Sequence, residues 1–280
     1  MRQNDIHIRH AGNLDDIGAC MTLQKEVWGF TEPQDMAPPP LLVLGNRYGG
    51  SVLIAESFDG MPLGFSYAFL ARESDGELFW WSHMTAVAPG YQNQQVGFEL
   101  KLAQRNAAID AGIGRICWTF DPLQTLNAHF NIHKLGTICR TYEDNIYGRS
   151  SSPLHHGLPT DRLLAEWHVN APSVVERLGG EAPVVLWDCD GLTHAVRIGD
   201  PDQVPAPRLG LEEAPLAVEI PCEVRGSEVH SERTGRWQRT LRETFHHYFD
   251  RGYVVTDFVR LLVPDPRAFY VLRPDSEKRI

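Results

Sequence analysis

Residues 79–102 read FWWSHMTAVAPGYQNQQVGFELKL, and this stretch decides the fold that we predict for the chain. Its β-rich apolar run ends at Val87, a Pro89-Gly90 turn follows, and a helical pattern begins after a short polar loop. A helix that follows a strand through a tight polar turn leaves its first backbone N–H groups unpaired and directed outward. Such groups bind anions, so the stretch predicts a phosphate site.

Length and composition set the frame for this site. The chain has 280 residues, of which 42% are hydrophobic, so we expect a larger domain at residues 1–169 and a smaller α+β domain at residues 170–280. The net charge of −10 argues against nucleic acid as a partner, because phosphates require clustered Lys and Arg. The N-terminus is too polar for a signal peptide, and no apolar run of about 18 residues predicts a membrane span. A cytoplasmic location is expected.

The cysteine and histidine patterns give no reason to expect a metal or a disulfide framework. The five cysteines are odd in number, widely spread and free of CxxC spacing, which fits a reduced compartment. The pairs His155-His156 and His246-His247 project in different directions and lack an evident carboxylate partner. We therefore predict no metal site.

Periodicity and turn signals predict a mixed α/β layer structure with the opening stretch at the centre of its sheet. A first helix should begin at Asn13 as N-cap and bury Leu14, Ile17, Met21 and Trp28. The other elements expected before residue 170 are strands at 6–10, 52–58, 63–72, 77–87, 115–120, 138–142 and 161–169, and helices at 41–46, 94–111 and 123–135.

This order of elements, together with the polar loop, resembles the GCN5-related N-acetyltransferase (GNAT) superfamily over about residues 5–169. The acyl-CoA loop of that superfamily typically reads Q/R-x-x-G-x-G/A. Gln92 and Gly97 fit this pattern, whereas Gln95 stands at its first glycine. The matching residues are Gln92, Asn93, Gln94, Gln95, Val96 and Gly97. The resemblance implies a mostly antiparallel central sheet flanked by helices.

The resemblance also implies how acetyl-CoA or another acyl-CoA would be held. Backbone N–H groups of the loop and of the helix N-terminus would bind the CoA pyrophosphate. The strand residues Thr85, Ala86 and Val87 would pair with the pantetheine arm, and Asn127 either contacts that arm or supports the start of its helix. A positive φ at Gln95 would compromise the site, because glycine normally provides the close backbone approach.

Acid and base groups follow from the same resemblance. His83 is the first candidate for the general base, because strand alternation places it on the face of Thr85; the alternative is a hydrogen-bonded structural histidine. The tyrosine that often serves as the acid in the family corresponds to Ile132. The proton would then come from Tyr142 or Tyr147, or from one of the nearby polar residues Asn131, His129 and His133, or the CoA thiolate leaves without a protein acid.

The acceptor is expected to be a small amine or an amino acid. Residues 145–162 form a loop beside the expected acceptor cleft, and such loops often determine specificity. Arg149 or Arg162 would bind a carboxylate with the planar guanidinium, although either is also readily explained as an ordinary surface arginine.

The C-terminal part is predicted to be a small α+β domain that packs on the first domain or builds a homodimer. A helix capped by Ser231 or Thr234 should bury Trp237, Leu241, Phe245 and Tyr248. Strands are expected at residues 184–188, 193–198, 216–220, 253–262 and 268–272, the first two as a hairpin around Asp190-Gly191. Its helix, glycine, strand order suggests a degenerate half-copy of the first fold.

The function predicted from the sequence is an acyl-CoA-dependent N-acyltransferase that moves an acetyl or succinyl group to an amine by direct attack on the thioester. Two alternatives come from other classes. The missing glycine at residue 95 and the missing tyrosine at residue 132 also fit a non-catalytic acyl-CoA-binding or regulatory module. The fold could also serve as the scaffold of a structural assembly protein.

Overall fold

The computed structural model describes residues 6–148, 158–180, 187–188, 191–200, 203–222, 228–261 and 266–275. The chain divides into two compact units. Unit 1 contains the described residues of Met1–Trp118 and His168–Asn170, and unit 2 contains those of Thr119–Arg149, Leu158–Trp167 and Ala171–Ile280. The units do not coincide with a single cut after residue 169. The predicted mixed α/β architecture is confirmed, and the C-terminal region carries a second sheet.

Unit 1 is built on a sheet in which strands β1 to β4 are antiparallel neighbours and β5 pairs in parallel with β4. The strands are β1 (Ile6–His10), β2 (Ser51–Ser57), β3 (Pro62–Arg72), β4 (Leu78–Val87) and β5 (Arg115–Phe120), the last of which begins in this unit. The helices are α1 (Leu14–Trp28), α2 (Pro39–Arg47) and α3 (Val96–Asp110).

The start of α1 was predicted correctly, and its predicted buried face is confirmed except at Leu14. The side chain of Asn13 accepts a hydrogen bond from the backbone N–H of Asp16, as expected for an N-cap. Ile17, Cys20 and Leu23 are buried, whereas Leu14 is 76% exposed. Met21 and Trp28 are partly buried and pack against the same core, so Leu14, in the first turn, is the predicted residue that lies off the buried face.

Apolar side chains cover both faces of the unit 1 sheet. On the face that carries Phe65, Met84 and Ala86, the core includes Ile17 of α1 and Leu42 of α2. The other face packs Leu53 and Leu63 against Val96 and Leu100 of α3. Strand β4 is therefore sandwiched between helices, and its carboxyl end leads directly into α3.

Unit 2 carries a four-stranded sheet with the order β10-β11-β9-β8. Its strands are β8 (Thr193–Val196), β9 (Leu216–Ile220), β10 (Tyr253–Leu261) and β11 (Arg267–Pro274). β6 (Tyr142–Glu143) and β7 (Arg162–His168) pair antiparallel with each other and are not part of this four-stranded sheet. The helices are α4 (Thr125–Ala128), which continues as a π-helical segment His129–Lys134, α5 (Pro172–Leu178) and α6 (Glu228–Asp250).

The buried stripe of α6 is confirmed at Trp237, Leu241, Phe245 and Tyr248. The helix starts at Glu228, so the predicted capping residues lie within it. The strand expected at residues 138–142 is reduced to isolated bridges at Ile138 and Cys139 before β6 begins. Most of the strand predicted at 184–188, and the turn at residue 190, lie outside the described residues.

Within the described residues, every helix is too short or too polar to cross a membrane.

Candidate functional site

A β-bulge in β4 determines where His83 lies. In the register between β3 and β4, Tyr67 pairs with Met84 and Ala68 pairs with Ser82, so His83 is an extra residue without a partner. The bulge interrupts the alternation of side chains along the strand. The prediction that His83 and Thr85 share a face is therefore wrong: His83 lies against Tyr67, which is paired with Met84.

The surroundings of His83 suit a neutral imidazole. Its ring centroid lies 6.0 Å from that of Tyr67, edge to face, and 6.1 Å from that of Phe69. These rings displace water from the imidazole, although part of His83 remains exposed, and this desolvation lowers the pKa of His83 below its ordinary value of 6.5. A neutral imidazole near neutral pH is able to accept a proton.

Strands β4 and β5 part soon after they meet. Their parallel ladder holds Trp80 beside Ile116 and Trp81 beside Cys117. From Ser82 to Val87, the ladder pairings of β4 in the described part of the chain are all with β3. The other edge of β4 is therefore open over its carboxyl half, and we call this feature of unit 1 the β4 fork.

The peptide groups of Thr85 and Val87 face the open edge. Ala88 donates its N–H to the Leu63 carbonyl, and the carbonyl oxygen of Ala86 lies 2.5 Å from the point where a Cβ on Gly64 would stand, so these even-numbered residues face β3. Peptide groups alternate in direction along an antiparallel strand. The odd-numbered residues therefore offer backbone donors and acceptors to the fork, where an extended ligand could add to the strand.

The polar loop after β4 is held by its own glutamines. Gln92 donates from Nε2 to the Val87 carbonyl at 3.2 Å, and Gln94 donates to the Gly90 carbonyl at 2.9 Å. Asn93 has a φ of +61° and Gln95 a φ of +69°. Gln95 thus has the positive φ that, on the sequence argument, would compromise a phosphate site. Such a conformation typically costs a residue with a side chain about 1 kcal/mol or more of folding free energy.

Helix α3 begins with backbone donors that the helix leaves unpaired. Gln95 is its N-cap residue but makes no capping hydrogen bond through its side chain, and the first helical bond runs from Glu99 N–H to the Gln95 carbonyl. The N–H groups of Val96, Gly97 and Phe98 precede this bond and have no partner within the helix. A Cβ on Gly97 would meet Val87 Cγ2 at 3.6 Å, an ordinary contact. The helix start can therefore bind an anion such as a pyrophosphate.

A buried lysine on α3 was missed by the sequence analysis. Lys101 Nζ lies 2.8 Å from Ser82 Oγ, 3.1 Å from Gln104 Oε1 and 3.6 Å from the centroid of the Trp118 ring. Its burial lowers the pKa of Lys101 from 10.5 to about 7. The available signal was the helical spacing of Gly97, Lys101 and Gln104, which puts the lysine in line with residues that face the sheet.

The predicted acid Tyr142 lies in unit 2, within an ion-pair cluster. It is buried and donates its hydroxyl proton to Asp161 Oδ2 at 2.9 Å, while Arg242 binds both oxygens of that carboxylate. Burial first, and then the charge of Asp161, raise the pKa of Tyr142 well above its usual value. Such a phenol gives up its proton with difficulty, so the cluster favours a structural role for Tyr142.

The other predicted residues of unit 2 are more scattered. Tyr147 is exposed, and its hydroxyl lies 2.8 Å from Thr119 Oγ1. Arg162 is buried, donates to the Asp161 carbonyl and lies 5.8 Å from the Tyr147 ring. Asn127 is exposed on α4, and Arg149 lies outside the described residues. The structure thus brings Tyr147 and Arg162 together, and their roles stay predictions.

The described residues contain no group of three or more His, Cys, Asp or Glu side chains arranged to hold a metal ion. The His155-His156 pair lies outside the described residues. His246 lies 2.8 Å from Asp144 Oδ1, and His247 lies 2.6 Å from an Arg251 nitrogen. The two adjacent histidines therefore have separate partners.

Comparison with known proteins gives likenesses of structure at low identity. No family model and no curated protein matches the chain. The ribosomal-protein-S18-alanine N-acetyltransferase of Escherichia coli is 13% identical, with a TM-score of 0.47 over 59% of this chain and 95% of that one. The Salmonella typhimurium protein yncA, solved with its cofactor acetyl-CoA, is 15% identical, with a TM-score of 0.45 over 60% of this chain and 95% of that one. This chain is similar to acetyltransferases of the GNAT family.

A further likeness is to a GCN5-related glucosamine N-acetyltransferase region of a fungal multi-domain GH3 beta-N-acetylglucosaminidase, with 18% identity and a TM-score of 0.35. It covers 40% of this chain, and this chain spans 13% of the fungal protein. The resemblance predicted from the sequence thus recurs in the structural comparison. At such identities and TM-scores, neither the activity nor the substrate of this chain follows from its similarity to these proteins.

Proposed function

We propose that unit 1 binds an acyl-CoA and transfers its acyl group, acetyl or succinyl, to a small amine or amino acid. The observation that carries the proposal is the junction of the β4 fork with the uncapped start of α3. One part of this junction offers backbone groups to an extended chain, and the other offers N–H groups to a phosphate. An acyl-CoA has both an extended arm and a pyrophosphate.

The phosphate end is supported by the loop geometry. Gln92 and Gln94 bind backbone carbonyls of the loop, so the loop is held in one conformation before any ligand arrives. The N–H groups of Val96, Gly97 and Phe98 and the positive end of the α3 dipole would then bind the pyrophosphate without a basic side chain. Such a site is compatible with the acidic composition of the chain.

The reacting end is supported by the edge of β4 and by His83. A main-chain N–H of Thr85 or Val87 would stabilise the negative charge that develops on the thioester oxygen. His83, neutral because its pKa is lowered, would accept the proton of the attacking amine directly or through water. The acid stays open: Tyr147 is an exposed candidate, Tyr142 is held by Asp161, and a thiolate can also leave unprotonated.

The experiment is a panel of amino acids and small amines, incubated with acetyl-CoA and with succinyl-CoA, with thiol release as the readout. The expected result is amine-dependent thiol release that the variant His83→Gln reduces by about 100-fold or more, since general base catalysis commonly contributes that much. Thiol release that is independent of every amine, or full activity of His83→Gln at all pH values, would contradict the proposal of base catalysis by His83.

A binding protein without catalysis is the second candidate. It is favoured by the positive φ of Gln95 at the phosphate loop and by Ile132 at the position of the usual tyrosine. On this reading, CoA and acyl-CoA would raise the melting temperature, because ligand bound to the native state stabilises it, yet no amine would release thiol. The same panel therefore separates the two candidates.

A further inference from the structure

Lys101 is a buried amine for which the described residues offer no carboxylate partner. It is 3% exposed, and Gln104 beside it is fully buried. The hydrogen-bond partners of its Nζ are a hydroxyl and an amide oxygen. Buried ammonium groups are ordinarily paired with an acid, because removing the charge from water is costly. The described residues therefore supply no negative charge for the protonated form of Lys101.

The position of Lys101 connects it with the β4 fork. The last paired residues of the two strands are Trp81 on β4 and Cys117 on β5. The next residue on each strand, Ser82 and Trp118, contacts the Lys101 amine. The amine therefore sits at the apex of the fork, where the two strands separate.

The neighbour of Lys101 on α3 is a buried donor without an acceptor: Gln104 Nε2 has no hydrogen-bond partner. Further toward the carboxyl end of β4, the Thr85 hydroxyl and the Ser66 hydroxyl paired opposite it are also buried without a partner. An amide nitrogen can only donate. Lys101 Nζ carries up to three N–H bonds, and two of them are used. Such a set of buried donors is suited to a carboxylate.

We propose that the apex of the β4 fork, through Lys101 and Gln104, binds a carboxylate at the end of the acyl chain of the donor. The inference rests on the proposed function, and it selects a dicarboxylic acyl-CoA, such as succinyl-CoA, over a neutral one. Lys101 would supply a charge-assisted hydrogen bond, and Gln104 Nε2 would supply a second donor. A neutral acyl chain would leave both donors unpaired.

The test compares succinyl-CoA with butyryl-CoA, since the two acyl chains have the same number of carbon atoms and differ in a terminal carboxylate against a methyl group. Titration calorimetry of the full chain at about pH 6.5, below the pKa of about 7 of Lys101, should give succinyl-CoA at least about 10-fold tighter binding, the effect of one charge-assisted hydrogen bond. The variant Lys101→Met should remove or reverse this preference. Lys25→Met, which removes an exposed lysine from α1, should keep it.

Two further measurements make each outcome informative. Gln104→Met should reduce the preference without changing the charge, which gives an independent reading if Lys101→Met fails to fold. Free CoA tests the proposed function itself. Binding of CoA and of both acyl-CoAs with equal affinity would overturn this inference and leave the acyl-CoA site intact. A succinyl-CoA preference that persists in Lys101→Met would also overturn it, whereas no binding of any CoA species would overturn the proposed function.

Discussion

Two basic groups lie on opposite faces of β4, and they differ in their exposure to solvent: His83 is partly exposed, whereas Lys101 of α3 is buried. On the side of Tyr67, the bulge turns His83 into an aromatic setting that is partly open to solvent. On the side of α3, Lys101 is buried between Ser82, Gln104 and Trp118. Loss of hydration lowers both pKa values, and that of Lys101 falls to about 7. The first arrangement suits proton exchange, and the second suits recognition.

The largest expected effect is on the free energy of unfolding of Lys101→Met. Unfolded, Lys101 holds its proton up to its ordinary pKa of 10.5, whereas in the folded state the pKa falls to about 7. Between these values the unfolded state binds the extra proton, so the stability of the natural protein rises with pH. At about 1.4 kcal/mol per pKa unit, this contribution reaches at most about 5 kcal/mol.

Chemical unfolding at several pH values between about 7 and 9.5 measures this contribution as the difference in the free energy of unfolding between the natural chain and Lys101→Met. Lys101→Met should be more stable than the natural chain near pH 7, and the gap should close as the pH rises. The control Lys25→Met should keep the slope of the natural chain. Parallel curves for the natural chain and Lys101→Met would mean that Lys101 keeps an ordinary pKa.

The second effect concerns the acid limb of activity and depends on His83. A base with a lowered pKa is neutral above that pKa, so kcat/KM should rise with pH through a value below 6.5 and then level off. His83→Gln should lower the plateau by about 100-fold and remove the limb. Its free energy of unfolding should change little, because the side chain is partly exposed. If the acid limb of the kcat/KM profile stays unchanged in His83→Gln, the titration that causes the limb belongs to another group.

The extent to which the sequence predicted these features depends on how local their causes are. The strand, turn and helix order around residues 79–102 depends on alternation, Pro89-Gly90 and helical spacing, and it was predicted correctly. The bulge at His83 arises from pairing with β3, which no local pattern encodes. The burial of Lys101 likewise depends on which stripe of α3 meets the sheet. His83 of β4 was therefore misplaced and Lys101 of α3 was missed for the same reason, since both depend on tertiary contacts.

The smallest expected effect is local to Gln95. Its φ of +69° is unfavourable for a residue with a side chain, and glycine adopts it readily. Gln95→Gly should therefore relieve strain at the start of α3 and raise the free energy of unfolding by up to about 1 kcal/mol, offset partly by the added freedom of the unfolded chain. Gln94→Gly serves as the matched control, because it should only destabilise. Equal losses in both variants, measured by thermal unfolding, would show that the conformation of Gln95 is not strained.

The most direct test of the acyl-CoA site is CoA binding by Gly97→Glu and Gly97→Ala. A Cβ at this position has room, since it would meet Val87 Cγ2 at 3.6 Å. A carboxylate in the first turn interacts favourably with the helix dipole, so Gly97→Glu should keep or raise the melting temperature, yet it should repel a pyrophosphate. We expect CoA binding to weaken by about 10-fold or more in Gly97→Glu, while Gly97→Ala binds like the natural chain. Unchanged CoA affinity in a folded Gly97→Glu protein would contradict a phosphate site at the start of α3.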